Sequence, residues 1–210
     1  IRMNAISHPR AYMRSMATRD DNTALSAYMQ DAINICKAAD FDCIILESAG
    51  VGQSDASILD FCNLRLYIMT PEFGAASQLE KINMLDYANI ICINKFDKAG
   101  ALDALHDVRK QYKRNHNAWQ AKDAELPIIG TIAAQFNDKG VNDLFAQIVL
   151  SIKEICGVSF GPIDALFTAS KTAESTSTQS KIIPAKRVRY LSEIADQNRS
   201  YDAWVAAQVN

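Results

Sequence analysis

Strand and helix signals alternate along most of this chain, which predicts an α/β fold: a mostly parallel sheet with helices on both faces. Three observations lead there. The short apolar runs Cys43-Ile44-Ile45-Leu46 and Ile90-Ile91-Cys92-Ile93 have the length and β-branched content of buried parallel strands. Segments with apolar residues at helical spacing separate such runs. Loops rich in Gly, Asn and Asp follow the runs' carboxyl ends, where open parallel sheets place their ligands.

In chain order, residues 24–39 are predicted as an amphipathic helix, with Leu25, Met29, Ala32, Ile33 and Cys36 on one stripe and Asp21 or Asn22 as cap. Strands are expected over 41–46, 64–69, 90–93 and 127–132. Helices are expected over 77–86, with Leu79, Ile82 and Leu85 inward, and over 101–114, with Leu102, Leu105, Val108 and Tyr112 inward. The opposite side of the second helix, with Asp103, Asp107, Arg109, Lys110 and Lys113, reads as a solvated face. A last core helix spans 141–156, with Leu144, Ile148, Ile152 and Ile155 inward. Residues 168–181 are dominated by Ser and Thr, lack an apolar period and read as a flexible linker. A helix is expected over 187–204, with Val188, Leu191, Ile194 and Ala195 as its stripe. The expected organisation is a partial nucleotide-binding domain over 1–166, a linker over 167–185 and a helical connector over 186–210.

The 210 residues suffice for one core and an appendage, and 49% apolar with 22% charged residues is ordinary for a globular domain. A net charge of −2 argues against a general nucleic-acid or membrane binder. No apolar run reaches transmembrane length. Cys36, Cys43, Cys62, Cys92 and Cys156 form no Cys-x-x-Cys pair, and Cys36, Cys43, Cys92 and Cys156 fall on apolar faces. They read as reduced thiols, mostly in the core, of a cytoplasmic protein. His8, His106 and His116 lack the spacing of metal ligands on one element. The chain begins Ile-Arg-Met-Asn without an initiator Met, which reads as an internal piece.

The loop Asn94-Lys95-Phe96-Asp97 at a strand end has the chemistry to tell guanine from adenine. The carboxylate of Asp97 can accept from the N1–H and the exocyclic amine of guanine, and adenine offers neither donor there. The Lys95 stem can lie on the purine face, and the Asn94 amide can brace the loop and reach N7. A second loop, Glu47-Ser48-Ala49-Gly50-Val51-Gly52-Gln53-Ser54-Asp55, follows the run 43–46. An acid at a strand end with Gly three residues on suits the surroundings of a terminal phosphate. Glu47 can hold Mg²⁺ directly or through water, and Gly50 and Gly52 let backbone N–H groups approach. Gln53 and Asp55 could orient a water or reach the phosphate edge. The bland alternative is a glycine-rich turn, but the two loops are one strand–helix–strand unit apart, as a nucleotide site requires.

The 47–55 loop resembles the acidic switch loop of the MeaB/ArgK family, the G-protein chaperones of adenosylcobalamin-dependent acyl-CoA mutases. The segment Arg14-Ser15-Met16-Ala17-Thr18-Arg19 is similar to the family's upstream switch, and residues 71–81 lie where the family carries an additional mobile segment that responds to nucleotide and contacts the mutase. Residues 94–98, Asp103-Ala104-Leu105, 107–111 and Ala133-Ala134-Gln135-Phe136-Asn137-Asp138-Lys139-Gly140 are similar to the branch in which chaperone and isobutyryl-CoA mutase share one polypeptide. So is the connector from Ile182-Ile183-Pro184 through Arg187-Val188-Arg189-Tyr190-Leu191. The resemblance covers nearly the whole chain.

It implies a P-loop GTPase-like fold of the SIMIBI class, here N-terminally truncated and followed by a linker and helix. It assigns catalytic roles to Glu47, Gln53 and Lys81, with Glu47 as the Mg²⁺ or water-network ligand. Asn94, Lys95, Asp97, Ala133, Ala134, Gly50 and Gly52 would bind GTP, with only backbone N–H contacts left to the Ala133–Ala134 loop. Lys81 and Arg14 would supply charge near the phosphates or, alternatively, are plain surface cations. Asp55 departs from the family's usual Glu. Implied for the parent are adenosylcobalamin bound outside this chain, mutase and cobalamin-binding domains on the same polypeptide, and a homodimer. No Gly-x-x-x-x-Gly-Lys-Ser/Thr occurs in the chain, so this piece alone is expected to be a poor GTPase and its sheet short of a central strand. A nucleotide-independent module docking on a mutase, and a stand-alone metallochaperone-type GTPase, are the alternatives.

Overall fold

The computed structural model describes residues 8–16, 25–48, 57–80, 82–161 and 190–209. Its sheet has three parallel strands: β1 (Leu66–Met69), β2 (Ile90–Asn94) and β3 (Ile128–Thr131), in that spatial order. Leu66 faces Ile90 across the first pair, and Ile91 faces Ile128 across the second. The helices are α1 (Met29–Ala38), α2 (Ala76–Leu79), α3 (Met84–Tyr87), α4 (Ala101–Asn115), α5 (Lys139–Cys156) and α6 (Tyr190–Val209).

β2 is the axis of the core. Ile90, Ile91, Cys92 and Ile93 are all buried, as a central strand covered on both faces must be. Ile91 and Ile93 pack in one cluster with Leu79, Leu85, Val108 and Ile128. Alternation sends Ile90 and Cys92 to the other face, and α5 packs against β2 and β3. α5 starts at Asp138, whose Oδ2 accepts from Val141 N at 2.9 Å, and ends at Gly157 with φ 67°, the left-handed conformation that glycine adopts at a helix end.

Several expectations are corrected. Residues 41–46 join no strand among the described residues: Ile44 is exposed, and Ile45 is 86% exposed. An apolar run becomes a strand only where a partner offers N–H and C=O groups, and none does so here among the described residues. The helix expected over 77–86 is two short turns, α2 and α3. Leu79 and Leu85 are each 1% exposed, and six residues apart on one continuous helix they would point about 120° from each other; the break turns both into the core. On α4 the buried stripe is Ala101, Ala104 and Val108, while Leu102 is 73% exposed. On α5 Leu144, Ile148 and Ile152 are partly buried, Val149 and Ser151 are buried, and Ile155 is exposed. Of the cysteines, Cys92 alone is buried, and Cys43 and Cys156 are exposed.

α1 is shorter than the sequence predicts, but Leu25, Met29 and Ile33 are buried as expected, against Met16, Leu46, Ile58 and Phe61. Arg65 joins this side to the sheet. Its Nη2 donates to Leu59 O at 3.4 Å, and its carbonyl accepts from Asn89 N and Ile90 N at 2.9 and 3.2 Å. α6 appears where a helix was expected, and the Ser/Thr-rich stretch lies outside the described residues. No helix among the described residues is long and apolar enough to cross a membrane.

Candidate functional site: a two-loop base cradle at the carboxyl edge of the sheet

β2 and β3 pair in register with Asn94 opposite Thr131, so their carboxyl ends place two loops side by side. Asn94 ties the loops together. Its Oδ1 accepts from Thr131 Oγ1 and from Ala133 N, each at 3.2 Å. With Oδ1 engaged by the protein, the amide's other end, Nδ2, is the group left to donate elsewhere. The Phe96 N–H donates to Thr131 O at 3.0 Å, a second tie between the loops.

The tetrad itself is a strained turn. Lys95 has φ 58°, a conformation non-glycine residues rarely adopt. Lys98 N donates back to Lys95 O at 3.0 Å, which closes the turn and leaves Asp97 exposed at its tip. The ring of Phe96 presses on the backbone of Gly130, where a Cβ would fall 2.6 Å from a ring carbon. Only glycine admits this packing, which fixes the depth of the loop.

The second loop rests on Asp138. This carboxylate is buried, and Oδ2 accepts from Ile132 N at 3.0 Å as well as capping α5 through Val141 N. Gly140 lies so close to the Gly130 carbonyl that a Cβ would sit 2.0 Å from the oxygen. β3, the Ala133–Ala134 loop and the start of α5 are therefore locked together. Ala133 and Ala134 are exposed at the surface of this construction. Beneath it, Cys92 Sγ and Thr131 Oγ1 are 3.2 Å apart, and burial pushes the Cys92 thiol up from its ordinary pKa.

The structure thus gathers Asn94, Lys95, Asp97, Ala133 and Ala134. Glu47 is exposed at the end of the unpaired 41–46 run, and Arg14 is exposed near the chain's beginning. Gly50, Gly52, Gln53, Asp55 and Lys81 lie outside the described residues. No group of three or more His, Cys, Asp or Glu side chains able to hold a metal ion occurs among the described residues. Sequence reasoning did not single out Thr131, Gly130 or the support role of Asp138. Asp138 carried a signal, since an Asp immediately before a helix is a common cap.

A parallel sheet flanked by helices, with two loops tied together at the ends of adjacent strands, places the chain among α/β proteins with a P-loop GTPase-like fold. The chain belongs to the MeaB family: the family model described as methylmalonyl-CoA mutase-associated GTPase MeaB matches residues 1–159. It is 47% identical over 209 residues to a fused isobutyryl-CoA mutase of Geobacillus kaustophilus, covering 100% of this chain and 19% of that protein. It is 48% identical over 209 residues to a fused isobutyryl-CoA mutase of Cupriavidus metallidurans, covering 99% and 19%. A mitochondrial methylmalonic aciduria type A homologue of Caenorhabditis briggsae is 30% identical over 97 residues, covering 46% of this chain and 24% of that protein. The chain thus spans about a fifth of the length of the fused relatives it matches.

Proposed function

We propose that this chain is the GTP-binding and GTP-hydrolysing chaperone domain of a cytoplasmic, homodimeric fused isobutyryl-CoA mutase, where it gates adenosylcobalamin loading and repair. The observation that carries the reading is the Asn94 bridge, which ties the turn that presents Asp97 to the Ala133–Ala134 loop at one edge of the sheet. The family membership and the fused relatives support the link to a mutase.

The donor set fits a guanine. Asp97 accepts from N1–H and the 2-amino group, and charge-assisted bonds of this kind contribute about 1.5–3 kcal/mol each. Asn94 Nδ2 donates to N7, and the Lys95 stem covers one ring face. The Ala133 N–H already serves Asn94, so the contact to the base oxygen O6 falls to the Ala134 N–H, which has no partner among the described residues. At the other end, Glu47 would hold Mg²⁺, which neutralises charge on the phosphates when bound. Gly50 and Gly52 would present N–H groups to the terminal phosphate, Gln53 would orient the attacking water, and Lys81 and Arg14 would add positive charge.

Titration of the full-length protein with GDP, ADP and XDP tests the base reading. GDP is expected to bind far more tightly than ADP. Asp97→Asn should weaken GDP about 100-fold or more and favour XDP, whose O2 accepts from the new amide. Equal, weak binding of GDP and ADP to the unaltered protein would sink the reading.

A further inference from the structure

The base loop is connected to a part of the molecule far from it in sequence. Lys98, the residue after the tetrad, donates through Nζ to Glu72 Oε1. Glu72 stands in a short turn, Pro71–Phe73, closed by Phe73 N to Thr70 O at 3.1 Å and Gly74 N to Pro71 O at 3.0 Å. The Lys98 and Thr70 side chains both hydrogen-bond the Glu72 carboxylate and hold its pKa down to about 2. Glu72 is therefore ionised at any physiological pH.

A second, independent contact seats the same turn. At Gly74 an added Cβ would fall 2.3 Å from Ala104 Cβ and 2.9 Å from Ala104 Cα. The turn thus rests on the first turn of α4 at a distance only glycine permits. Farther along α4, Arg114 pairs with Glu80 at 3.0 Å, and Asn115 donates to Asp86. Gly74, Glu80 and Asp86 are thus all held along α4, the helix that follows the base loop.

Taking Asp97 as the guanine reader, as proposed above, we infer that Glu72 is a positioning residue for base recognition. Its clamp on Lys98 fixes the backbone turn that aims Asp97, because the Lys98 N–H closes that turn on Lys95 O. The 71–74 turn and the base loop then act as one body. Both members of the pair are about half exposed, at 46% and 49%, so the effect is modest and screened by salt.

The test is a double-mutant cycle in the full-length protein with Glu72→Gln, Lys98→Met and the double variant, reading the GDP dissociation constant and the melting temperature. Each single variant should weaken GDP about two- to fivefold with little change in melting temperature, and the double variant should be no weaker than either single. The differences should vanish at about 1 M salt, where the screening length is about 3 Å. GDP should also slow amide exchange over residues 72–79 in the unaltered protein and not in Lys98→Met. Unchanged GDP affinity in the single variants, or effects that simply add in the double, would overturn the clamp. Loss of GDP-over-ADP preference in the unaltered protein would instead overturn the base reading beneath it.

Discussion

Two apolar clusters of similar chemistry sit in this chain, and they differ in how completely water is shut out. Around the sheet, Ile91, Ile93 and Val108 are 0% exposed. Around α1, Leu25, Met29 and Ile33 keep 7–8% exposure, and the flanking Met16, Leu46, Ile58 and Phe61 are only partly buried. The runs Cys43-Ile44-Ile45-Leu46 and Ile90-Ile91-Cys92-Ile93 make the contrast sharpest: nearly the same composition, one at the surface and one at the centre. Composition supplies the capacity to be buried, and paired neighbours on both sides realise it. The Asn94–Asp97 and Ala133–Ala134 loops hang from the fully buried half, whereas Glu47 follows the exposed run.

The comparison is sharpened first by truncating the buried run. Ile93→Ala should cost about 2–5 kcal/mol, read from the urea midpoint, because it removes a fully buried side chain packed with Leu79, Leu85 and Val108. Asp138→Ala should cost less, about 1–3 kcal/mol, by leaving the Ile132 and Val141 N–H groups without their acceptor; a loss below measurement error would show that α5 and the Ala133 loop are not held as described. Ile45→Ala should stay within about 0.5 kcal/mol. If it matched Ile93→Ala, the contrast between the two halves would be wrong. The mildest probe is thiol labelling followed by mass spectrometry. Cys43 and Cys156 should react first, and Cys92 only on unfolding, since burial both shields it and raises its pKa, which lowers its thiolate fraction at neutral pH.

Much of this was legible in the sequence, and the limits have physical causes. β2, β3, α4 and α5 were readable because apolar periodicity and length agree there. The 41–46 run was not, because a strand depends on a partner that the run itself does not encode. Leu102 was assigned inward because periodicity weights large side chains, whereas the close seat of Gly74 on α4 selects the small Ala104 for the buried face. Asn94, Lys95 and Asp97 could be proposed from sequence because their order in one loop carries their chemistry, and the structure sets them beside Ala133 and Ala134. Glu72 and Lys98 were not, because two residues 26 positions apart share no local pattern.

Lys95 shows what such a site demands of its own chain. A left-handed backbone at a residue with a Cβ costs about 1–2 kcal/mol, and here it is adopted by a long cation at the mouth of the cradle, φ 58°. Exchanging it for glycine would relax the turn and remove the stem proposed to cover the purine face. Selection for heat resistance and selection for ligand affinity would therefore pull this codon in opposite directions, and a sturdier variant gained there would be a weaker reader.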